Sequence, residues 1–329
     1  MTILAPRANP LLLGHSAAEA LFDEALQAGR MHHAWLITGP PGIGKETLAY
    51  RFARRLFTRR SNPNDPASPT FRRVAEATHA DLLTVERQWD EKNKRMRAEI
   101  VVDVVRAVPD FLHLTPAEGG WRVVVVDGVE AMNRNAANAL LKVLEEPPAR
   151  AVLLLTCAAP GRLLPTIRSR CRLLRLQPLG LADTVSVLTT LLPDMADADR
   201  SRVAALSDGS PGRGVELAGQ GVEVSALVAD LLAAPAVTVT RAHEVADRLL
   251  RQDGFTPFMA LLQEGISRAV RDAVRGRSDP TQLAQVAQRP LAAWGELWHA
   301  LGRIQQDTER SHLDKRHAIV SALTLLKAP

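Results

Sequence analysis

A chain of 329 residues with 46% hydrophobic and 23% charged residues has the make-up of a globular protein of two or three domains, able to bury a large core. The aromatic share is 4% with a single Tyr, which argues against extended base-stacking surfaces, and a net charge of +5 permits contact with DNA without demanding it. Two cysteines, Cys157 and Cys171, exclude a four-cysteine zinc site and point to a reducing cytoplasm, and no run approaches about 18 uncharged apolar residues, so neither membrane anchor nor export signal is expected.

In chain order the first clear element is the apolar run Ala34 to Ile37, read as a strand. It leads into Gly39-Pro40-Pro41-Gly42-Ile43-Gly44-Lys45, and Leu48, Phe52, Leu56 and Phe57 then recur at about helical spacing. Strand, Gly-rich loop and helix in this order form a phosphate-binding unit. Glycines let backbone N–H groups turn toward phosphate, the helix N-terminus adds positive potential, and the lysine reaches the terminal phosphates. The next residue in a working loop of this type is Ser or Thr, whose hydroxyl holds Mg²⁺. Here it is Glu46, with Thr47 one residue further around the helix, so a carboxylate is expected near the phosphate oxygens.

Thr58 to Arg73 is rich in Pro, Ser and Asn and reads as a surface insertion. Asp81 to Glu86 is a short strand. The charged piece Arg87 to Arg97 reads as a solvated hairpin or loop, with DNA contact as the other reading. A helix is expected from about Ile100 to Leu114. The Val run within Trp121 to Asp127 suits a strand buried on both faces of a parallel sheet, Arg134 to Glu146 a helix stopped by Pro147 and Pro148, and Ala151 to Cys157 another buried strand. Cys171 to Leu179 supplies the last strand. This alternation is α/β and doubly wound. Strand signals vanish beyond Gly180. Three short helical patterns reach about Gln220, broken at Pro193 and at "SDGSPGRG", and more helices fill Val222 to Pro329 with breaks at Gly254, Gly276 to Pro280 and Pro290. Three parts are therefore expected: an α/β domain over 1–179, a small helical lid over 180–221 and an all-α domain over 222–329.

Asp127 closes the Val strand, where an acid would hold a metal through water; it reads equally as a helix cap. A hydrolysing site needs a base to polarise the attacking water, but Gly128 follows, and the nearest acid, Glu130, lies two residues on. Loss of a positioned base costs on the order of 10²–10⁴ in rate. With Glu46, that makes two independent defects at one site.

Taken together, "HHAWLITGPPGIGK", "VVVVDGVEAMNRNAANALLKVLEEPP" and "LLPTIRSRC" resemble the clamp-loader subunits of bacterial DNA polymerase III, of the AAA+ class. The resemblance is strong from about Asn9 to Leu179 and weaker through "LSDGSPGRGVELA" and "LDKRHAIVSALTLL". Within the family the degenerate site points to the delta-prime type rather than the gamma/tau motor. That implies a subunit of the polymerase holoenzyme that is itself neither polymerase nor competent ATPase, with an AAA+ domain, a lid and a C-terminal oligomerisation domain. It would brace the loader beside gamma/tau and delta subunits, and meet the sliding clamp and primer-template DNA through the complex. In the Ser169-Arg170-Cys171 motif the resemblance makes Arg170 a finger reaching into a neighbour's ATP site. The alternative reading of Arg168, Arg170 and Arg172 is surface ion pairing, and Arg168 and Arg172 keep it. The resemblance assigns ATP or ADP, at a degenerate site, to Gly39, Gly42, Gly44, Lys45, Glu46, Thr47 and Asp127. It adds Thr156 as a sensor and Arg213 as a lid arginine standing about one position late. Relatives carry a zinc module after the first helix, but Thr58 to Arg73 holds no cysteine, so no zinc is expected. His32 and His33 read as orienting the strand entry rather than binding metal. Two rival functions stay open: an active AAA+ ATPase of the gamma/tau-like motor type, opposed by Glu46 and Gly128, and an independent DNA-binding AAA+ protein.

Overall fold

The computed structural model describes residues 4–326 apart from 59–61, 93, 119, 220, 235–236, 252–253, 275–289 and 312. These fall into two compact units, Met1–Val215 and Glu216–Pro329.

The first unit opens with α1 (Ser16–Gln27), whose Ala18, Phe22 and Ala25 form one buried stripe. β1 (Ala34–Thr38) follows, then α2 (Lys45–Phe57) and α3 (Pro69–Ala75). β2 (Leu82–Val85) precedes a separate two-stranded hairpin, β3 (Trp89–Asp90) and β4 (Arg95–Met96). After α4 (Val102–Val105) and α5 (Ala107–His113) come β5 (Arg122–Val126), α6 (Arg134–Glu145), β6 (Ala151–Cys157), α7 (Pro165–Arg168) and β7 (Arg172–Arg175). The helices α8 (Leu181–Leu191), α9 (Asp197–Leu206) and α10 (Pro211–Gly219) complete the run.

The main sheet has the order β2-β5-β6-β1-β7 and is parallel throughout. Its three central strands, β5, β6 and β1, bury both faces. Leu36, Val124, Val126, Leu153 and Leu155 pack with Ala136, Leu140 and Leu144 of α6, while Trp35, Ile37, Val123, Val125 and Leu154 pack with α1 and α2. That double burial is why the strands read as continuous Val and Leu runs instead of alternating ones. Register brings the carboxyl ends of three strands together, with Ile37 beside Thr156 and Val126 beside Leu155. The loop after β1, Asp127 and Thr156 therefore share one edge, where ligands bind in open α/β sheets.

The structure differs from the expected elements in three places. α1 lies in a stretch for which no helix was expected, although Ala18, Phe22 and Ala25 already recur at helical spacing. The helix expected over 100–114 is two short ones parted at Arg106, because Pro109 has no N–H to give the Val105 carbonyl. The insertion after α2 is not all surface loop: α3 grows from it, with the Ser68 hydroxyl accepting the Phe71 N–H, Pro69 at the first position, and Phe71 and Val74 buried. Arg54, wholly buried, donates to the carbonyls of Pro63 at 2.9 Å, Arg7 at 3.0 Å and Asn9 at 3.4 Å, and its guanidinium carbon lies 4.6 Å from the Phe71 ring centre. Burial pushes its pKa down to about 10.

The second unit is helical: α11 (Val222–Ala233), α12 (Val239–Leu250), α13 (Phe255–Val274), α14 (Leu291–Ser311) and α15 (Lys315–Leu325). Phe258, Leu262, Ile266, Leu301, Ile319 and Leu323 are among its buried residues. Gln263 of α13 bonds Gln305 of α14 at 2.9 Å, and Arg316 of α15 pairs with Asp247 of α12 at 2.7 Å. The break expected at 276–280 falls outside the described residues.

Candidate nucleotide site and arginine flank

The loop between β1 and α2 adopts the backbone its glycines allow. Gly42 has φ +76° and Gly44 φ +97°, both in the left-handed region. Four consecutive carbonyls of this loop are bonded: Pro40 O by Lys45 Nζ at 2.8 Å, Pro41 O by Ser210 Oγ at 2.7 Å, Gly42 O by Gly212 N–H at 2.9 Å and Ile43 O by His15 Nε2 at 2.7 Å. Apart from the Gly39 N–H, which donates to Cys157 O at 3.2 Å, carbonyls committed in this way leave the amides within the loop as its polar groups, which is the arrangement an anion cradle uses. The start of α10 presses close: a Cβ added at Gly42 would stand 2.8 Å from the Arg213 nitrogen.

Lys45 is buried. Burial lowers its pKa, opposed by the charges of Glu130, Glu46 and Asp127 in that order. Glu46 does not stand alone at the phosphate edge as the sequence suggests. Its carboxyl lies close to that of Asp127, and its pKa is pushed up to about 7 by burial first and then by the Asp127 charge. Two carboxyl groups this close resist being ionised together. Asp127 is also held from the other side, since Thr156 Oγ1 donates to its Oδ1 at 2.7 Å and accepts the Gly128 N–H at 2.9 Å. The capping alternative for Asp127 is not realised, because the 3₁₀ turn Val129–Ala131 has no side-chain cap. Thr47 is buried in the first turn of α2. Glu130 accepts the Ala158 N–H at 2.7 Å, and with burial it helps push the Cys157 thiol up to about 12. Among the described residues no cluster of His, Cys, Asp and Glu could hold a metal ion.

The residues present thus fit a phosphate cradle and do not fit a Mg²⁺-nucleotide seat, because a carboxyl stands in place of the hydroxyl, beside the acid that would assist the metal. Arg213 brings its backbone to the loop while its guanidinium lies 3.4 Å from Asp208. His15, Ser210, Gly212 and Glu130 take part in this site without having been assigned to it from sequence. Ser210 and Gly212 were visible only as small residues in a turn, and nothing in local spacing marks His15.

Arg170 follows α7, away from the loop in sequence. Its Nη2 pairs with Glu145 at 2.8 Å and its Nη1 donates to Thr166 O at 3.0 Å; its side chain is 35% exposed. Arg168 is exposed. Arg172 departs from the surface ion pairing expected of it: its guanidinium carbon lies 4.8 Å from the Trp35 ring centre. A side chain beside a buried indole gains more by stacking than by pairing in water. His32 Nδ1 meets the Ala34 backbone at the entry to β1, as expected for an orienting role.

A parallel sheet of this order, a Gly-rich loop into α2, an acid ending β5 and a following helical segment define an α/β domain of the AAA+ type. The family model for "DNA polymerase III, delta subunit" matches residues 14–180, half of the chain, and the chain belongs to this family. Its curated relatives include the DNA polymerase III subunit delta' of Pseudomonas aeruginosa, 39% identical over 206 residues, and that of Escherichia coli K12, 37% identical over 193. The matched stretches cover 62% and 58% of this chain, but only 61% and 56% of those relatives. The chain is also 30% identical over 205 residues to the DNA polymerase III subunit tau of Salmonella typhimurium, covering 60% of this chain and 30% of tau. Among the described residues no helix is long and apolar enough to cross a membrane.

Proposed function

We propose that this chain is a delta-prime-type subunit of the DNA polymerase III clamp loader, that it does not hydrolyse ATP itself, and that it serves a neighbouring motor subunit through Arg170. The observation that carries the reading is Glu46 standing in place of the loop hydroxyl, partly buried and beside Asp127. With these two acids side by side and Gly128 in the place of a base, the chain lacks both a metal seat and a water-polarising group of its own. ATP or ADP phosphates would meet only the loop amides and Lys45, and binding there would be weak. Arg170, by contrast, is held by a partly exposed ion pair, an interaction that contributes roughly 0–1 kcal/mol. Exchanging Glu145 for the γ-phosphoryl oxygens of a neighbour's ATP would therefore cost little. A finger arginine raises turnover by about 10³–10⁵ because its planar, permanent charge meets charge spread over those oxygens. The partners on this reading are gamma/tau and delta subunits, with the sliding clamp and primer-template DNA reached through the assembly. Copurification from cells with identification of partners tests it: gamma/tau and delta should accompany the chain. A chain that purifies alone and releases phosphate from ATP would point to a gamma/tau-like motor instead.

A further inference from the structure

The β3–β4 hairpin stands outside the main sheet, and its one cross-strand apolar pair faces solvent. Trp89 lies opposite Met96, and the two are 51% and 47% exposed. Directly opposed residues project on the same face, so indole and thioether form one small apolar platform. Between 87 and 97 the sequence carries five Lys or Arg against two acids. Arg87, Lys92, Lys94 and Arg97 are exposed, and among the described residues no ion pair holds them. Isolated hairpins are marginal in water, and leaving a Trp outside the core forfeits burial that a fold otherwise uses. The family resemblance assigns this hairpin nothing.

We propose that the hairpin is a docking surface for single-stranded DNA: one base stacks on Trp89 beside Met96, and the surrounding Lys and Arg side chains contact the flanking phosphates. A single aromatic face ringed by mobile cations is the arrangement that binds single strands irrespective of sequence. A protein interface is the poorer match, because lysine is depleted where proteins meet and charge is excluded from the interface centre. One stacking site is compatible with the low aromatic content, which argues only against an extended surface. The choice of DNA rests on membership of a DNA polymerase family; the surface does not depend on the ATP chemistry or on Arg170.

The test uses the full chain and a fluorescein-labelled oligothymidylate, read by anisotropy at several salt concentrations. Binding should weaken with salt, each phosphate contact contributing about 0.7 to the log–log slope. Trp89→Ala should weaken binding on the order of ten-fold or more with an unchanged circular dichroism spectrum, whereas Trp89→Phe retains most of it. The double variant Lys92→Ala/Lys94→Ala should lower the salt slope by about one to one and a half. A blunt duplex of equal length should bind more weakly than the single strand. Absence of binding at about 50 mM salt, or binding that Trp89→Ala and the lysine pair both leave unmoved, overturns the proposal. So does a duplex preferred over the single strand. Binding unmoved while Trp89→Ala weakens association with a gamma/tau subunit makes the hairpin a protein contact, which also overturns it.

Discussion

Glu46 lies beside Asp127, so the residue that replaces the usual hydroxyl crowds the very acid that would have helped it hold a metal. This couples folding to pH. Glu46 ionises near 4.5 in an open chain and near 7 in the folded one. Between those values the folded state binds the extra proton, so stability falls as pH rises through that window. Below about 4.5 there is no contribution, and above about 7 the loss is complete. Glu46→Gln abolishes the titration, so its melting temperature relative to the parent should rise from pH 5 to pH 8. Thermal unfolding at both values checks this, and a gap that does not change with pH contradicts it.

The same pair governs nucleotide affinity. Near-saturating Mg-ATP should raise the unfolding temperature of the parent chain little, whereas a ligand at 100 times its Kd adds about 2.7 kcal/mol. Glu46→Thr restores the hydroxyl and removes the carboxyl beside Asp127, so the Mg-ATP shift should grow by several degrees. Turnover should stay at background in both chains because Gly128 still supplies no base. A large Mg-ATP shift in the parent, or phosphate release abolished by Lys45→Ala, would show a competent pocket.

The loop is also held by steric fit. A Cβ at Gly212 would stand 2.8 Å from Gly42 Cα and 3.1 Å from its carbonyl oxygen, both backbone atoms that cannot swing aside. Gly212→Ala should therefore destabilise the first unit by about 1–3 kcal/mol, as overpacking does. Denaturant unfolding measures it. Gly161→Ala, where nothing lies within 4 Å of the added Cβ, is the neutral control.

Much of this architecture was legible because each element carries its own local signal. The strands β5 and β6 read directly from continuous Val and Leu runs, since burial on both faces leaves no alternation to misread. The loop read from its glycines and lysine. What could not be read were pairings between distant segments: His15 with Ile43, Ser210 with Pro41, and Glu46 turning to Asp127, 81 positions along the sequence numbering from 46 to 127. Spacing reports periodicity within an element and says nothing about which loop meets another. Arg54 illustrates the same limit. Nothing in its helix position marks it, yet carbonyls of Arg7 and Asn9 before α1 and of Pro63 in the insertion all accept from it, tying the insertion to the start of the chain.

Arg170 and Glu145 supply the decisive experiment, because the proposed chemistry lies in another subunit. In a reconstituted loader, Arg170→Ala should leave the chain folded and assembled, since its partly exposed ion pair contributes little to its own fold. Clamp- and DNA-stimulated ATP turnover should nevertheless fall partially in total, with the one interface served by Arg170 falling by about 10³–10⁵. Arg170→Lys should not rescue it, because an ammonium cannot reproduce the planar fork. Glu145→Gln keeps the arginine and loosens its tether, so it should change turnover far less than Arg170→Ala. Arg168→Ala is the control for surface charge. Arg172→Ala should leave turnover near the parent value and lower the chain's own melting temperature slightly, through loss of its contact with Trp35. If Arg170→Ala assembles normally and turnover and clamp loading match the parent, Arg170 is a structural residue paired with Glu145, and the finger assignment falls.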